Sequence, residues 1–453
     1  MKSLTRHLLW AVLAIATVAA FTPSAAPQSQ DSRLDIPATD AGLPGAGPIR
    51  RADWFRKLWF ERRSAWSKRV QQDRHALVFL GDSITQGWGD EMGGAFAGVK
   101  VANRGISGDT TRGVLIRMDE DVLALDPEGV VILIGTNDLE DDAEPDTIAA
   151  NLKLILAKLE GHNAKMPIIL CQVFPSSESK KRPASKIKKL NQLYAATVRG
   201  DAQVTLLETW PLFANEKGNA KPEEFPDLLH PNKAGYAKWA AAIYPILATL
   251  DFVDTEPDVF TPEPGFESLF NGRDLTGWGY RPSLESEIKY ANEWRASDPK
   301  VANWPIVTNA VQFDGLTSSP DGRYVAKHGR LIVTTPSEFR KVQKISTTRE
   351  FPKDFILKLE FRCTPDTDSG IFIREPQLQC RDYLIAGPYK QLQHYKPGDW
   401  NEIVITVHGD EALCACNGEI LESAFKIPAT GPIGLEGDRG QMEYRRIRIK
   451  ESQ

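Results

Sequence analysis

The stretch Phe79-Leu-Gly-Asp-Ser-Ile-Thr-Gln-Gly-Trp88 decides the fold of the first half of the chain. It closes the apolar run Ala76–Leu80, and an unbroken apolar run suits a strand covered on both faces. Gly81 permits a tight turn, and Ser83 then stands where a helix should begin. A strand, a sharp turn and a helix deliver that hydroxyl to the carboxyl edge of a sheet. Backbone N–H groups and a helix N-terminus then lie beside any negative charge that develops there. Gly-Asp-Ser alone is a common turn, so its meaning depends on what surrounds it.

Further apolar runs at Val130–Ile134, Pro167–Val173 and Val204–Leu207 alternate with helical patterns. Ile148, Leu152, Ile155, Leu156 and Leu159 mark one helix face that stops at Gly161. A second helix is expected near Ser185. A last one follows Pro231 and carries Tyr236, Trp239, Ala240, Ile243 and Leu247. The pattern predicts an α/β domain with a parallel sheet over residues 49–250.

Three more blocks carry chemistry. Asn103-Arg-Gly-Ile-Ser-Gly-Asp-Thr-Thr111 contains Gly108, which allows a backbone N–H to approach a ligand closely. Ile134-Gly-Thr-Asn-Asp138 follows a buried strand, and Asn137 can supply a side-chain donor there. Pro226-Asp-Leu-Leu-His-Pro231 delivers Asp227 and His230 from a single turn. A carboxylate so placed fixes the tautomer and orientation of an imidazole base. In this order the four blocks resemble the SGNH (GDSL-like) hydrolase superfamily over roughly residues 75–250. The resemblance implies a three-layer, flavodoxin-like α/β fold. It implies Ser83 as nucleophile, His230 as base and Asp227 as its orienter. The oxyanion hole it implies comes from the Ser83 and Gly108 N–H groups and the Asn137 amide. The second block is similar to those of platelet-activating-factor acetylhydrolase-like and carbohydrate acetylesterase branches, which favour acetyl release.

Neighbouring residues are read with less reach. Trp88, Asn103 and Arg104 are candidate substrate contacts, although Asn103 and Arg104 could instead simply fix the second block. Asp82 and Asp138 are expected to hold loops, and His162 to sit on the surface at a helix end. The segment Arg50–Arg69 mixes basic residues with Trp54, Phe55, Leu58, Trp59, Phe60 and Trp66. It could lie on an anionic membrane, but a helix docking its aromatics onto the α/β domain is the preferred reading.

Residues 251–264 interleave Asp and Glu with Pro and contain no Lys or Arg, which predicts a semi-stiff linker. Beyond it the period changes to two, as in Phe355–Arg362, Glu402–Val407 and Met442–Lys450. Asn417-Gly418 between two strand-like pieces is a hairpin signal. An all-β sandwich is expected over residues 265–451. Phe266–Trp278, Ser369–Arg374, Asp399–Glu402, Cys416–Glu419 and Gly431–Leu435 together resemble the 3-keto-disaccharide hydrolase-like domain. That resemblance implies a concanavalin-like jelly roll in contact with carbohydrate. Where such domains show a Glu-x-Gln motif, this chain has Gln377-Leu-Gln379. An amide cannot act as the carboxylate that glycoside cleavage generally needs, which favours sugar binding over a second active site. Asp382 or Glu375 would have to substitute. Trp278, Arg374, Tyr383 and Trp400 are the candidate sugar contacts, although core packing is an equal reading for the two tryptophans. Asp366-Thr-Asp-Ser-Gly370 spaces oxygen ligands but lacks the rest of a calcium loop, so a turn is expected.

Composition bounds the remainder. The 453 residues leave room for two or three domains at roughly 100–200 residues each. A net charge of −5 gives no basic excess for nucleic acid. Lys2 and Arg6, the apolar run Leu8–Phe21 and Ser24-Ala25-Ala26 read as a secretory signal peptide over 1–26. Residues 27–48 read as a flexible leader. Secretion or periplasmic export without stable membrane insertion is therefore expected. Five Cys are too few for a disulfide scaffold. Four of them (363, 380, 414, 416) fall in the β half, and no Cys/His spacing suggests zinc. No cofactor is expected. The reading is an exported serine esterase that removes a short acyl group, expected to be acetyl, from a carbohydrate or other small ester. Its β domain would hold sugar. The alternatives are a lipid-directed esterase, a bifunctional enzyme that also cleaves glycosides, and a binding protein with a vestigial α/β domain.

Overall fold

The computed structural model describes residues 32–253, 255–297 and 305–452. The first half is a five-stranded sheet of β1 (Leu77–Gly81), β2 (Val101–Gly105), β3 (Gly129–Leu133), β4 (Ile168–Cys171) and β5 (Val204–Leu207). All neighbours are parallel, and the order is β2-β1-β3-β4-β5. Side-chain alternation divides each strand between two cores. Val78 and Leu80 face the helices Thr111–Asp121, Pro145–His162 and Ala184–Val198. Leu77 and Phe79 face the helix Lys233–Thr249. Strand order reverses around β1, and in such sheets the crevice outside the carboxyl ends at that point receives the ligand. The Ser83, Gly108 and Asn137 blocks follow β1, β2 and β3 in turn, so all three loops meet there.

The second half is a sandwich of antiparallel sheets, consistent with a jelly roll. In an eight-stranded sheet Phe355–Cys363 lies between Asn401–His408 and Met442–Glu451. In a six-stranded sheet Ile433–Gly437 lies between Gln343–Thr347 and Gly370–Ile373, with Gln377–Gln379 at one edge. The strict burial alternation of Phe355–Cys363 is the period-two pattern of its sequence. A helix, Glu285–Ser297, is inserted among the strands. All five cysteines are buried free thiols.

Two expectations about connecting segments change. The signal-peptide stretch lies outside the described residues, but the leader is described from Ser32 onward and is held in place. Ala46 N–H donates to Asn151 Oδ1 at 3.0 Å, and Asn151 Nδ2 returns a bond to Ala46 O at 2.7 Å. Arg112 binds Asp40 and the Gly47 carbonyl, and Leu34 and Ile36 are buried. Gly- and Pro-rich composition reported only that the segment is aperiodic; its anchors come from residues far away in the chain. The acidic linker is likewise pinned. Asp258 accepts from Arg446 at 2.8 Å, Glu263 from Arg448 at 2.6 Å, and Phe260 lies under both guanidiniums.

The two halves also touch. Gly200 N–H donates to Ser337 O at 2.9 Å, and Gln441 Nε2 reaches Pro245 O and Thr249 Oγ1 at 3.0 Å each. Lys327 bonds Thr249 O and pairs with Asp251.

Candidate active site

Asp82 precedes the short helix Ser83–Gly87, and its Oδ1 accepts from Ile84 N–H at 3.0 Å. The turn is stapled from below by Asn103, whose Nδ2 donates to Thr85 O (2.7 Å) and Gly89 O (2.9 Å). It is stapled from the side by Tyr236, whose hydroxyl donates to Ile84 O at 2.8 Å. Ser83 Oγ lies 2.9 Å from His230 Nε2, and His230 Nδ1 lies 2.7 Å from Asp227 Oδ2. The other Asp227 oxygen accepts the backbone N–H groups of Leu229 and His230. Burial alone would raise the Asp227 pKa, but these bonds from His230 and Leu229 outweigh it and hold the carboxyl down to about 2. Asp227 is thus ionised, and its bond to Nδ1 leaves Nε2 to face the serine. The His230 and Asp227 side chains are 43% and 44% exposed, so the chain of bonds opens to solvent rather than into a tunnel.

Gly108 adopts φ +87°, a left-handed conformation that only glycine takes freely. A Cβ there would also come within 2.7 Å of Trp54 Cη2. Asn137 is buried; its Nδ2 donates to Asp109 O at 2.9 Å and its Oδ1 accepts from Arg182 Nη2 at 3.0 Å. An amide nitrogen carries two hydrogens, so a second remains for a ligand. Arg182 was missed by sequence reasoning. It is buried and also bonds Thr136 O, Lys180 O and Glu140, so it fixes the orientation of the Asn137 amide. No local pattern could have found it, because it lies 45 residues from Asn137.

Three buried carboxyls lie close by. Burial pushes Asp82 and Asp138 up to about 7. Asp109 is pushed up to about 6 by burial, against the opposing pull of Arg117. Asp138 holds Thr111 through its N–H and Oγ1, as expected of a loop-holding residue.

Several candidate contacts are in the interior instead. Trp88 is stacked on Trp239 with ring centroids 4.5 Å apart. Arg104 is buried against Asp73 and the Asp121 carbonyl. Trp278 is in the sandwich core with its Nε1 donating to Leu269 O, and Tyr383 is buried in the same core against Phe361, Tyr389 and Tyr395. Arg374 spends its guanidinium on the carbonyls of Phe351, Gly409, Pro428 and Lys353. Trp400 is half-buried between Arg362 and Arg445. Motif adjacency gave no information about which side of an element each faces. Asp366 and Asp368 pair with Arg439 and Arg381, which agrees with a turn. His162 is on the surface beside Asp126.

The sandwich does carry a hollow lined by both apolar and polar groups. Two adjoining cavities of about 250 and 300 Å³ share Arg281, Glu287, Lys344 and Phe372. Gln377 and Glu436 line the first and are hydrogen-bonded to each other. Burial, reinforced by Asp438 and Asp368, pushes Glu436 up to about 8. The carboxyl absent at position 377 is therefore present across the sheet. Asp382 is buried elsewhere and Glu375 lines only the second cavity.

Residues 79–238 match the model of the GDSL-like lipase/acylhydrolase family, and residues 265–450 match that of the 3-keto-alpha-glucoside-1,2-lyase-like domain. Platelet-activating factor acetylhydrolase IB subunit alpha2 of Bos taurus is 27% identical over 217 residues, 46% of this chain and 91% of that protein. Acetylxylan esterase of Geobacillus stearothermophilus is 35% identical over 86 residues, covering 14% of this chain and 39% of that protein. A solved GDSL-like lipase from Bacteroides thetaiotaomicron is 29% identical, with a TM-score of 0.37, covering 43% of this chain and 97% of that one.

Proposed function

From the premise that residues 79–238 are a GDSL-like acylhydrolase domain and the chain an ester hydrolase, we propose an exported serine esterase that removes acetyl groups from a carbohydrate. The observation that carries this reading is the continuous chain from Ser83 Oγ to His230 at 2.9 Å and on to Asp227 at 2.7 Å. His230 Nε2 takes the Ser83 proton as Oγ attacks the ester carbonyl, and Asp227 stabilises the resulting imidazolium. The Ser83 and Gly108 N–H groups and the Asn137 amide receive the oxyanion. His230 then protonates the departing sugar hydroxyl. Water, deprotonated by the same imidazole, attacks the acyl-enzyme; acetate leaves and Ser83 recovers its proton.

The short acyl group is supported by the open setting of His230 and Asp227 and by the acetyl chemistry in the names of both relatives. Sugar is supported by the second domain, whose largely apolar cavity carries Gln377, Glu436 and Lys344 over the Phe372 ring, a lining that suits a ligand with both an apolar face and hydroxyls. Export is supported by the sequence of residues 1–26, and no helix among the described residues is long and apolar enough to cross a membrane.

An acyl-length series tests the reading. The full chain should release acetate from acetylated xylo-oligosaccharides, and hydrolyse p-nitrophenyl acetate faster than the butyrate and far faster than the decanoate. Preference for decanoate with no acetate from any acetylated sugar would instead establish a lipid-directed esterase.

A further inference from the structure

We propose that Trp54 and Arg50 form the subsite that receives the sugar ring of the ester, beside the oxyanion glycine. The inference rests on the acetylated-carbohydrate reading and names the residues that select for it.

The helix Asp53–Ser67 docks its aromatics inward, as its sequence suggests: Phe55, Trp59 and Trp66 are buried together with Ile36 and Ile106. Trp54 is the exception. Successive residues of a helix are turned by about 100°, so Phe55 inward sets Trp54 outward. It is 55% exposed, and among the described residues no other tryptophan is classed as exposed. A single exposed apolar side chain needs no explanation, but this one is not placed at random. Its Cη2 lies 2.7 Å from the position that a Cβ at Gly108 would take, and Arg50 Nη1 lies 3.1 Å from that position.

Both groups are held before any ligand arrives. Trp54 packs edge-on to buried Phe55 with centroids 5.5 Å apart. Arg50 Nε and Nη2 are bound by Asp141 at 2.8 and 3.0 Å, and Nη2 also by Glu140. Glu140 in turn accepts from Arg182, which orients Asn137. One network therefore joins the rim to an expected oxyanion donor. A rigid aromatic face with a fixed guanidinium beside it suits a pyranose: its C–H face lies on the ring and its hydroxyls meet the cation. The small acetyl group does not need so broad a wall, whereas the ring that bears it does.

The test compares Trp54→Ala and Trp54→Phe with the unsubstituted full chain on two esters, acetylated xylo-oligosaccharide and p-nitrophenyl acetate, with thermal midpoints measured alongside. Trp54→Ala should lower the ratio of kcat/KM for the sugar ester to that for the aryl ester by about tenfold, mostly through KM. Trp54→Phe should recover most of that ratio. An equal loss on both esters would overturn the proposal and make Trp54 a support for the Gly108 loop. An unchanged ratio would overturn it as well. If the unsubstituted chain turns over the aryl ester and no acetylated sugar, the carbohydrate reading itself fails, and the subsite with it.

Discussion

At the scale of single residues, the four sequence blocks were legible because each is a short loop whose chemistry is local. Asp227 and His230 are three apart, and one turn suffices to bond them. Arg182, which orients the Asn137 amide, was not legible because it acts from another segment, and Asn103, read as a substrate contact or a brace for its own block, braces the Ser83 turn. Asp82 adds a measurable consequence. Its folded pKa of about 7 lies above the usual carboxylate value, because burial penalises its charge, with Asp109 and Asp138 adding to the rise, and Ile84 N–H and Arg182 oppose without cancelling it. Between these two values the folded state binds more protons than the unfolded one, so stability falls as pH rises through 7. An amide at this position carries no charge to bury. Thermal midpoints of Asp82→Asn should therefore fall less between pH 5.5 and 8 than those of the unsubstituted chain. An equally steep fall would show that Asp82 carries no such penalty.

At the scale of elements, continuous apolar runs located β1, β3, β4 and β5, and period two located the long strands of the sandwich. β2 was missed because Asn103 and Arg104 interrupt its apolar character. Both are buried, but they are there to hold the Ser83 turn and the Asp73 carboxylate. Aromatic residues were ambiguous in both halves, and Trp278 took the core-packing reading that was weighed equally for it. Trp88 and Trp278 stand beside motifs, yet burial is decided by neighbours that the sequence does not order. The leader and linker were read from composition, which is silent about partners. For the linker those partners are arginines of the last strand. Asp258→Ala would leave Arg446 without its bidentate partner. It should lower stability to urea by about 1 kcal/mol, and less at high salt, because the pair is partly exposed. No change in the urea midpoint at low salt would mean that the linker is carried by its backbone contacts instead.

At the scale of the whole molecule, the two halves are seated against each other through Gly200–Ser337, Gln441 and Lys327. The acidic linker lies along the last strand of the sandwich. The account assigns ester cleavage and the subsite for the acetylated ring to the first half and a further sugar contact to the second, with Ser83 as the nucleophile. The most direct measurement is acetate released from acetylated xylo-oligosaccharide by the full chain and by its Ser83→Ala variant, at matched thermal midpoints. Loss of the hydroxyl should lower the rate by about 10⁴-fold or more. Acetate release by a folded Ser83→Ala protein at a rate near that of the unsubstituted chain would contradict the account.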